Sequence, residues 1–163
     1  MALIRLSNIE KSFQDGEDRE NNVLRGINME VEKGEFIAIK GPSGSGKTTL
    51  LSILGTILRP DSGIYLLDGM EMTTDGIDLA TIRNSRIGFV FQDHRLMPQY
   101  TVLENILLPA LATAVAAENA RNIASLFSEI NLRMRTTIVM VTHSDETSSF
   151  AHRILKLNGG ILE

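Results

Sequence analysis

The first third of the chain alternates apolar and polar residues with a period of two. "LIRLSNIEKSF" (3–13) follows this rhythm, and so does "VLRGINMEVEKG" (23–34), with Val23, Ile27, Met29 and Val31 on one face. Period two puts every second side chain on the same side of an extended backbone, so each segment predicts a half-buried strand. The polar stretch "DGEDRENN" (15–22) between them reads as the loop of an antiparallel pair. "EFIAIK" (35–40) is a short, mostly apolar strand that runs straight into a glycine-rich stretch.

After that stretch the period changes. "KTTLLSILGTI" (47–57) carries Leu50, Leu51, Leu54 and Ile57 at helical spacing, with Gly55 a mild flaw. "RPDSG" (59–63) predicts a turn, "IYLLDG" (64–69) a strand closed by Asp-Gly, and "DLATIRNS" (78–85) a short helix. "IGFVFQ" (87–92) reads as a buried strand ending at Gln92. Residues 101–134 are helical in composition, interrupted by Pro109, with a stripe of Ala120, Ile123, Phe127, Ile130 and Met134. "TTIVMVTHS" (136–144) is a β-branched strand ending at His143, and "HRILKLNGGILE" (152–163) predicts two short strands around Gly159-Gly160. Strands come first, then strand and helix alternate. That order favours an α/β fold: a parallel-sheet core with an antiparallel β appendage at the N-terminus.

Composition adds boundaries to this picture. A length of 163 residues suits one domain (1–163), and shares of 43% apolar and 22% charged residues are ordinary for a globular chain. A net charge of −4 offers no bulk attraction to nucleic acid. With no cysteine, a disulfide framework and a thiolate metal site are excluded, as suits a reducing cytosol. Arg5, Glu10 and Lys11 interrupt the apolar run a signal peptide would need. No apolar run is long enough to span a bilayer, so a role at a membrane is expected on its surface, without insertion.

The chemistry begins at "GPSGSGKT". Gly41 to Thr48 fits G-x-x-x-x-G-K-[ST] at every fixed position, after a predicted strand and before a predicted helix. Gly41, Gly44 and Gly46 allow backbone N–H groups to turn inward around phosphates, with Ser43 and Ser45 between them. The helix beginning at Lys47 adds its positive end. Lys47 can reach the β- and γ-phosphates as a point charge, and the Thr48 hydroxyl can ligate Mg²⁺. Thr49 follows in the same first turn. A phosphate cradle is therefore expected here, against the plainer reading of a Gly/Ser turn.

The stretch "VLRGINMEVEKGEFIAIKGPSGSGKTTLLSILGTILRPDSGIYLLDG" resembles the nucleotide-binding subunit of an ABC transporter. "IGFVFQDHRLMPQYTVLENILLP" and "TIVMVTHSDE" resemble that family's next two landmarks. Among subfamilies, the lipoprotein-releasing, macrolide-exporting and cell-division ATPases are the most similar. The resemblance implies a P-loop NTPase fold of ABC type and binding of ATP with Mg²⁺. It implies a transmembrane permease as partner, a homodimer, and a cytoplasmic position on the inner face of the membrane. Gln92 matches the glutamine that touches Mg²⁺ or water and relays nucleotide state. His143 matches the histidine that hydrogen-bonds the γ-phosphate. Phe13 matches the aromatic residue that stacks on adenine. His94 and His152 read as exposed polar residues, and the methionines as core filler or loop residues.

Two family motifs are absent between Gln92 and His143. No "SGG" follows Gly46, so the signature that completes the opposing subunit's ATP site is missing. No apolar run ends directly in Asp-Glu, so the acids that support Mg²⁺ and activate water are missing too. The only Asp-Glu pair, Asp145-Glu146, lies beyond His143. The break falls near Val115 to Glu118, where several dozen family residues are lacking and the helical subdomain is largely lost. The sheet could then close up one strand narrower. Two readings follow: an ATP-binding subunit that couples binding and hydrolysis to a permease for export or lipoprotein release, or a hydrolysis-deficient remnant of one. A different P-loop enzyme, such as a small-molecule kinase, is disfavoured because no lid or acceptor site is recognisable.

Overall fold

In the computed structural model, which describes residues 2–14, 20–88 and 118–163, the two alternating segments pair as antiparallel strands. These are β1 (Ala2–Gln14) and β2 (Glu20–Glu32), so Glu20–Asn22, expected in the loop, extend the strand. Ile4 and Leu6 of β1 and Ile27, Met29 and Val31 of β2 turn inward as their alternation requires, and Ile9 joins them because the register of β1 shifts between Leu6 and Ile9, with Asn8 at φ 51°. The phase of β2 also shifts. The register slips between the pairs Ile9–Ile27 and Lys11–Leu24, with Gly26 at φ 69°. Leu24 thereby enters the core and Val23 stays half-buried, contrary to strict alternation. One extra residue in a strand reverses which face follows it. On the other side of β1 lies β4 (Ser62–Leu67), which doubles back through Asp68-Gly69 into β5 (Met70–Glu71). This sheet runs in the order β2-β1-β4-β5.

The second sheet is built around β3 (Phe36–Lys40). It lies parallel to both β6 (Ile138–Val141) and β7 (Arg153–Asn158), and β8 (Ile161–Leu162) adds to β7 antiparallel. Phe36, Ile37, Ala38 and Ile39 are all fully buried, as an apolar run in a parallel sheet should be. His152 holds the start of β3. Its N–H donates to the Phe36 carbonyl at 2.8 Å, and its Nδ1 accepts the Phe36 N–H at 3.2 Å. This clamp was not foreseen for a residue that is, as expected, exposed. The two sheets are joined where the Arg25 N–H donates to the Gly160 carbonyl at 2.8 Å.

α1 (Lys47–Leu54) follows β3 and buries Leu50, Ile53 and Leu54, each worth about 1.5–3 kcal/mol. It is shorter than predicted. Thr56 takes φ 55°, its N–H bonds the Ile53 carbonyl, and the Ile57 N–H bonds the Ser52 carbonyl. That pattern closes a helix and throws Ile57 out of the expected stripe, leaving it exposed. The Tyr65 hydroxyl donates to the Leu54 carbonyl at 2.7 Å, satisfying one last-turn acceptor. Burial pushes the Tyr65 phenol far up, so it stays a donor. α2 (Leu79–Arg86) forms where expected, with the Asp78 carboxylate accepting the Ala80 and Thr81 N–H groups at 3.1 Å.

α3 (Glu118–Met134) is rotated from the predicted stripe. Ala124 and Asn131 are buried, Ile123, Phe127 and Ile130 are half-buried, and Met134 is exposed. The cause is Asn131, whose amide donates to the Gly34 and Thr136 carbonyls at 2.8 Å each. A buried amide with two carbonyls to bond thus outweighs the apolar stripe. The Ala120 side chain, most of "IGFVFQ", Pro109 and His94 lie outside the described residues, as does nearly all of the junction near 115–118. Among the described residues no helix is long and apolar enough to cross a membrane. Tyr65→Phe is expected to lower the unfolding free energy by about 1 kcal/mol, because the Leu54 carbonyl loses its buried donor. Urea unfolding with an unchanged slope checks this.

Candidate functional site

The parallel pairing of β3 with both neighbours brings three strand ends to one edge. Ile39 lies opposite Val141 of β6 and Leu155 of β7, and Lys40 lies opposite Lys156. From this edge β3 continues into residues 41–48 and β6 into 142–144. The outer carboxyl ends of parallel strands are where open α/β sheets place ligands.

The loop leaves β3 under tight contact. A Cβ at Gly41 would sit 2.1 Å from the Leu157 carbonyl oxygen and 2.7 Å from Ser45 Oγ, so only glycine lets the chain pass β7. At the other end Gly46 has φ 98°, and a Cβ there would come within 2.9 Å of Leu24 Cδ2. Gly44 turns the chain at φ 78° with open space around it. Ser43 is exposed, whereas Ser45 is buried and its N–H donates to the Pro42 carbonyl at 3.3 Å. Gly46 caps α1 without a side chain, and no acidic residue stands in the first turn. The positive end of the helix therefore remains available to an anion.

Lys47 folds back over this loop. Its Nζ donates to the Gly41 carbonyl at 2.9 Å and the Pro42 carbonyl at 2.6 Å, and lies 3.4 Å from Ser45 Oγ. The ammonium is held above the backbone it would share with a phosphate. Thr48 is exposed and Thr49 half-buried in the next positions. Among the described residues no cluster of three His, Asp or Glu side chains could hold a metal. The Thr48 hydroxyl supplies one oxygen, so a magnesium ion fits here only as one carried on nucleotide phosphates.

Two further elements flank the loop. Gly46 abuts Val23 and Leu24 of β2, and Leu24 pairs with Lys11 of β1, so the β1–β2 hairpin lies alongside. Phe13 sits near its far end, 43% exposed, with Lys11 Nζ 5.5 Å from the ring centroid. Beyond β6, the Thr142 N–H donates to the Ile39 carbonyl at 3.2 Å, and His143 follows, exposed. Its turn is braced by Thr142 Oγ1 against Thr147 Oγ1 at 2.6 Å and by the Ser144 N–H on Thr142 Oγ1 at 3.1 Å. Ser144 then caps the short α4 (Asp145–Ser148).

Asp145 does not stand at the end of a strand. It pairs with Lys40, whose hydrogen bond and charge, with help from Lys156, hold the carboxyl below its ordinary value. Lys40 was missed by sequence reasoning, and nothing short of the β3–β6 pairing could have found it. Gln92 lies outside the described residues.

A family model described as "ABC transporter" matches residues 24–158. The chain is 48% identical over 118 residues to a lipoprotein-releasing system ATP-binding protein, LolD 1, of Rhodopirellula baltica. That match covers 71% of this chain and 52% of the relative. It is 46% identical over 132 residues to the macrolide export ATP-binding/permease protein MacB of Brucella abortus, covering 80% of this chain and 20% of that one. The chain thus spans about half the length of the LolD relatives it matches. Among solved structures, an ATP-binding cassette captured as a dimer with ADP and Pi matches at TM-score 0.85 and 25% identity, covering 98% of this chain and 96% of that one.

Substitutions at the two left-handed loop glycines should separate strain from crowding. Gly44→Ala adds a Cβ in open space and is expected to cost about 1–2 kcal/mol of backbone strain. Gly46→Ala adds a clash with Leu24 and Val23 to the same strain and should cost more. Urea unfolding of the two variants compares them, and an equal or smaller loss at Gly46 would contradict the geometry.

Proposed function

The chain belongs to the ABC transporter family, and from that premise we propose that it binds ATP as the nucleotide-binding subunit of a membrane transporter. The observation that carries this reading is the loop itself, a glycine turn at a strand end, running into a helix whose N-terminus has no capping side chain or acid. In this reading the backbone N–H groups of residues 43–48 receive the phosphates. The Lys47 ammonium exchanges its loop carbonyls for β- and γ-phosphate oxygens. Phe13 stacks on the adenine through the exposed part of its ring. His143 reaches the γ-phosphate from the end of β6. Thr48 and Gln92 serve as magnesium ligands beside phosphate oxygens and water. Magnesium, arriving with the nucleotide, supplies charge neutralisation on the phosphates.

The family and the relatives named as lipoprotein-releasing and macrolide-export proteins support a permease as partner, and export or lipoprotein release as the task. A peripheral place on the inner face of the membrane goes with that partner. The family's dimeric arrangement depends on a signature motif that this sequence lacks.

A second reading is favoured by a specific observation. The sequence has no Asp-Glu pair directly ending an apolar strand, and its sole Asp-Glu pair has Asp145 engaged with Lys40. A positioned base contributes ~10²–10⁴-fold in rate, so a chain without one would hold ATP and turn it over slowly. Mg-ATP affinity and steady-state hydrolysis, each compared with Lys47→Ala, decide between the two. Removing a charged phosphate donor is expected to weaken binding by about 10- to 100-fold. Unchanged affinity would sink the nucleotide reading. Vigorous Lys47-dependent turnover would sink the remnant reading, and its absence the coupled one.

A further inference from the structure

The turn between α1 and β4 reaches back to the part of β1 that carries Phe13. Sheet pairing between β1 and β4 runs only as far as Glu10 opposite Ser62. Asp61 takes over where that ladder stops. Its N–H donates to the Glu10 carbonyl at 2.9 Å, and its Oδ2 accepts the Ser12 N–H at 2.6 Å. Its other oxygen takes the Lys11 ammonium. Ser62 Oγ adds a bond to the Glu10 carboxylate at 2.9 Å. Lys11 is thereby immobilised with only 14% of its side chain exposed, and its Nζ lies near the Phe13 ring. One carboxylate therefore fixes both residues immediately before the aromatic.

We propose that Asp61 is a positioning residue for the nucleotide base. By holding Ser12 and Lys11 it sets the Phe13 ring and the cation beside it. This rests on the reading of Phe13 as the base platform. A cation near one side of an aromatic ring is attracted by its π-electrons, which leaves the ring's remaining exposed surface to stack on a flat base. Without the clamp, the last residues of β1 would be held on the β2 side alone, and ordering the ring would cost part of the stacking energy. Burial pushes the Asp61 carboxyl up, but the Lys11 and Ser12 hydrogen bonds and the Lys11 charge outweigh it and hold it below its ordinary value. The clamp is thus ionised at neutral pH.

Calorimetric titration of the full chain with ATP and with inorganic tripolyphosphate tests the assignment. Wild type, Phe13→Ala, Asp61→Asn and the double variant are compared. Phe13→Ala is expected to weaken ATP about tenfold, the scale of one base stack. Asp61→Asn should weaken ATP about threefold or more, leave tripolyphosphate affinity unchanged, and add nothing in the Phe13→Ala background. Tripolyphosphate binding also reports that each variant is folded. If wild type binds neither ligand, the nucleotide reading itself falls and this assignment with it. If Phe13→Ala leaves ATP affinity intact, the base platform falls, again with the assignment. If Phe13→Ala weakens ATP but Asp61→Asn does not, or weakens both ligands alike, or acts additively, the platform stands and the role of Asp61 is overturned.

Discussion

The site depends on β3 being hydrogen-bonded in parallel along both of its edges. A five-residue strand has little stability of its own. Here its first four residues are fully buried, its start is clamped by His152, and it is flanked by β6 and β7. Parallel neighbours end at the same edge, so the loop after β3 and the turn after β6 emerge side by side. The same pairing creates the contact between Gly41 and the Leu157 carbonyl. That contact explains why the loop must begin with a residue lacking a Cβ. A side chain there would push β3 from β7 and disturb the register on which the rest of the edge relies.

The charge at this edge is local and runs against the chain as a whole. The net charge is −4, yet Lys40, Lys47 and Lys156 gather near the end of β3, and α1 has no acid in its first turn. Asp145 neutralises Lys40, whereas among the described residues Lys47 bonds neutral oxygens of Gly41, Pro42 and Ser45. A focused positive site on an acidic molecule can attract a polyanion without a general affinity for nucleic acid.

Much of this architecture was legible in the sequence, because repeated patterns average over small errors. Alternation located β1 and β2, and helical spacing located α1 and α2. What escaped prediction turns on single residues. Gly26 inserts a bulge that trades Val23 for Leu24 in the core. Thr56 ends α1 before Ile57. Asn131 rotates α3 because its buried amide bonds two backbone carbonyls, a preference that no apolar count records. The glycine-rich turn between β3 and α1 was legible because all its parts are contiguous. Phe13 and His143 entered only through a family likeness. The partners Lys11–Asp61 and Lys40–Asp145 needed the fold, since 50 and 105 residues separate them along the chain.

The parts that are present bear more on binding than on turnover. In the reading proposed for the loop, backbone donors, a helix N-terminus and Lys47 would stabilise phosphate charge in the ground state as well as during transfer. Interactions of equal strength in both states raise affinity without raising the rate of the chemical step. Rate needs a group whose effect grows as water attacks, and between Gln92 and His143 the sequence has no apolar run ending in the Asp-Glu pair that serves this purpose in the family. Directly after β6 the chain supplies Thr142 and His143. If His143 holds a γ-phosphate as proposed, that one imidazole cannot also orient an attacking water with full effect. On the proposed reading, the physical division within this chain is therefore between groups suited to holding phosphate and the missing acid that would speed its transfer.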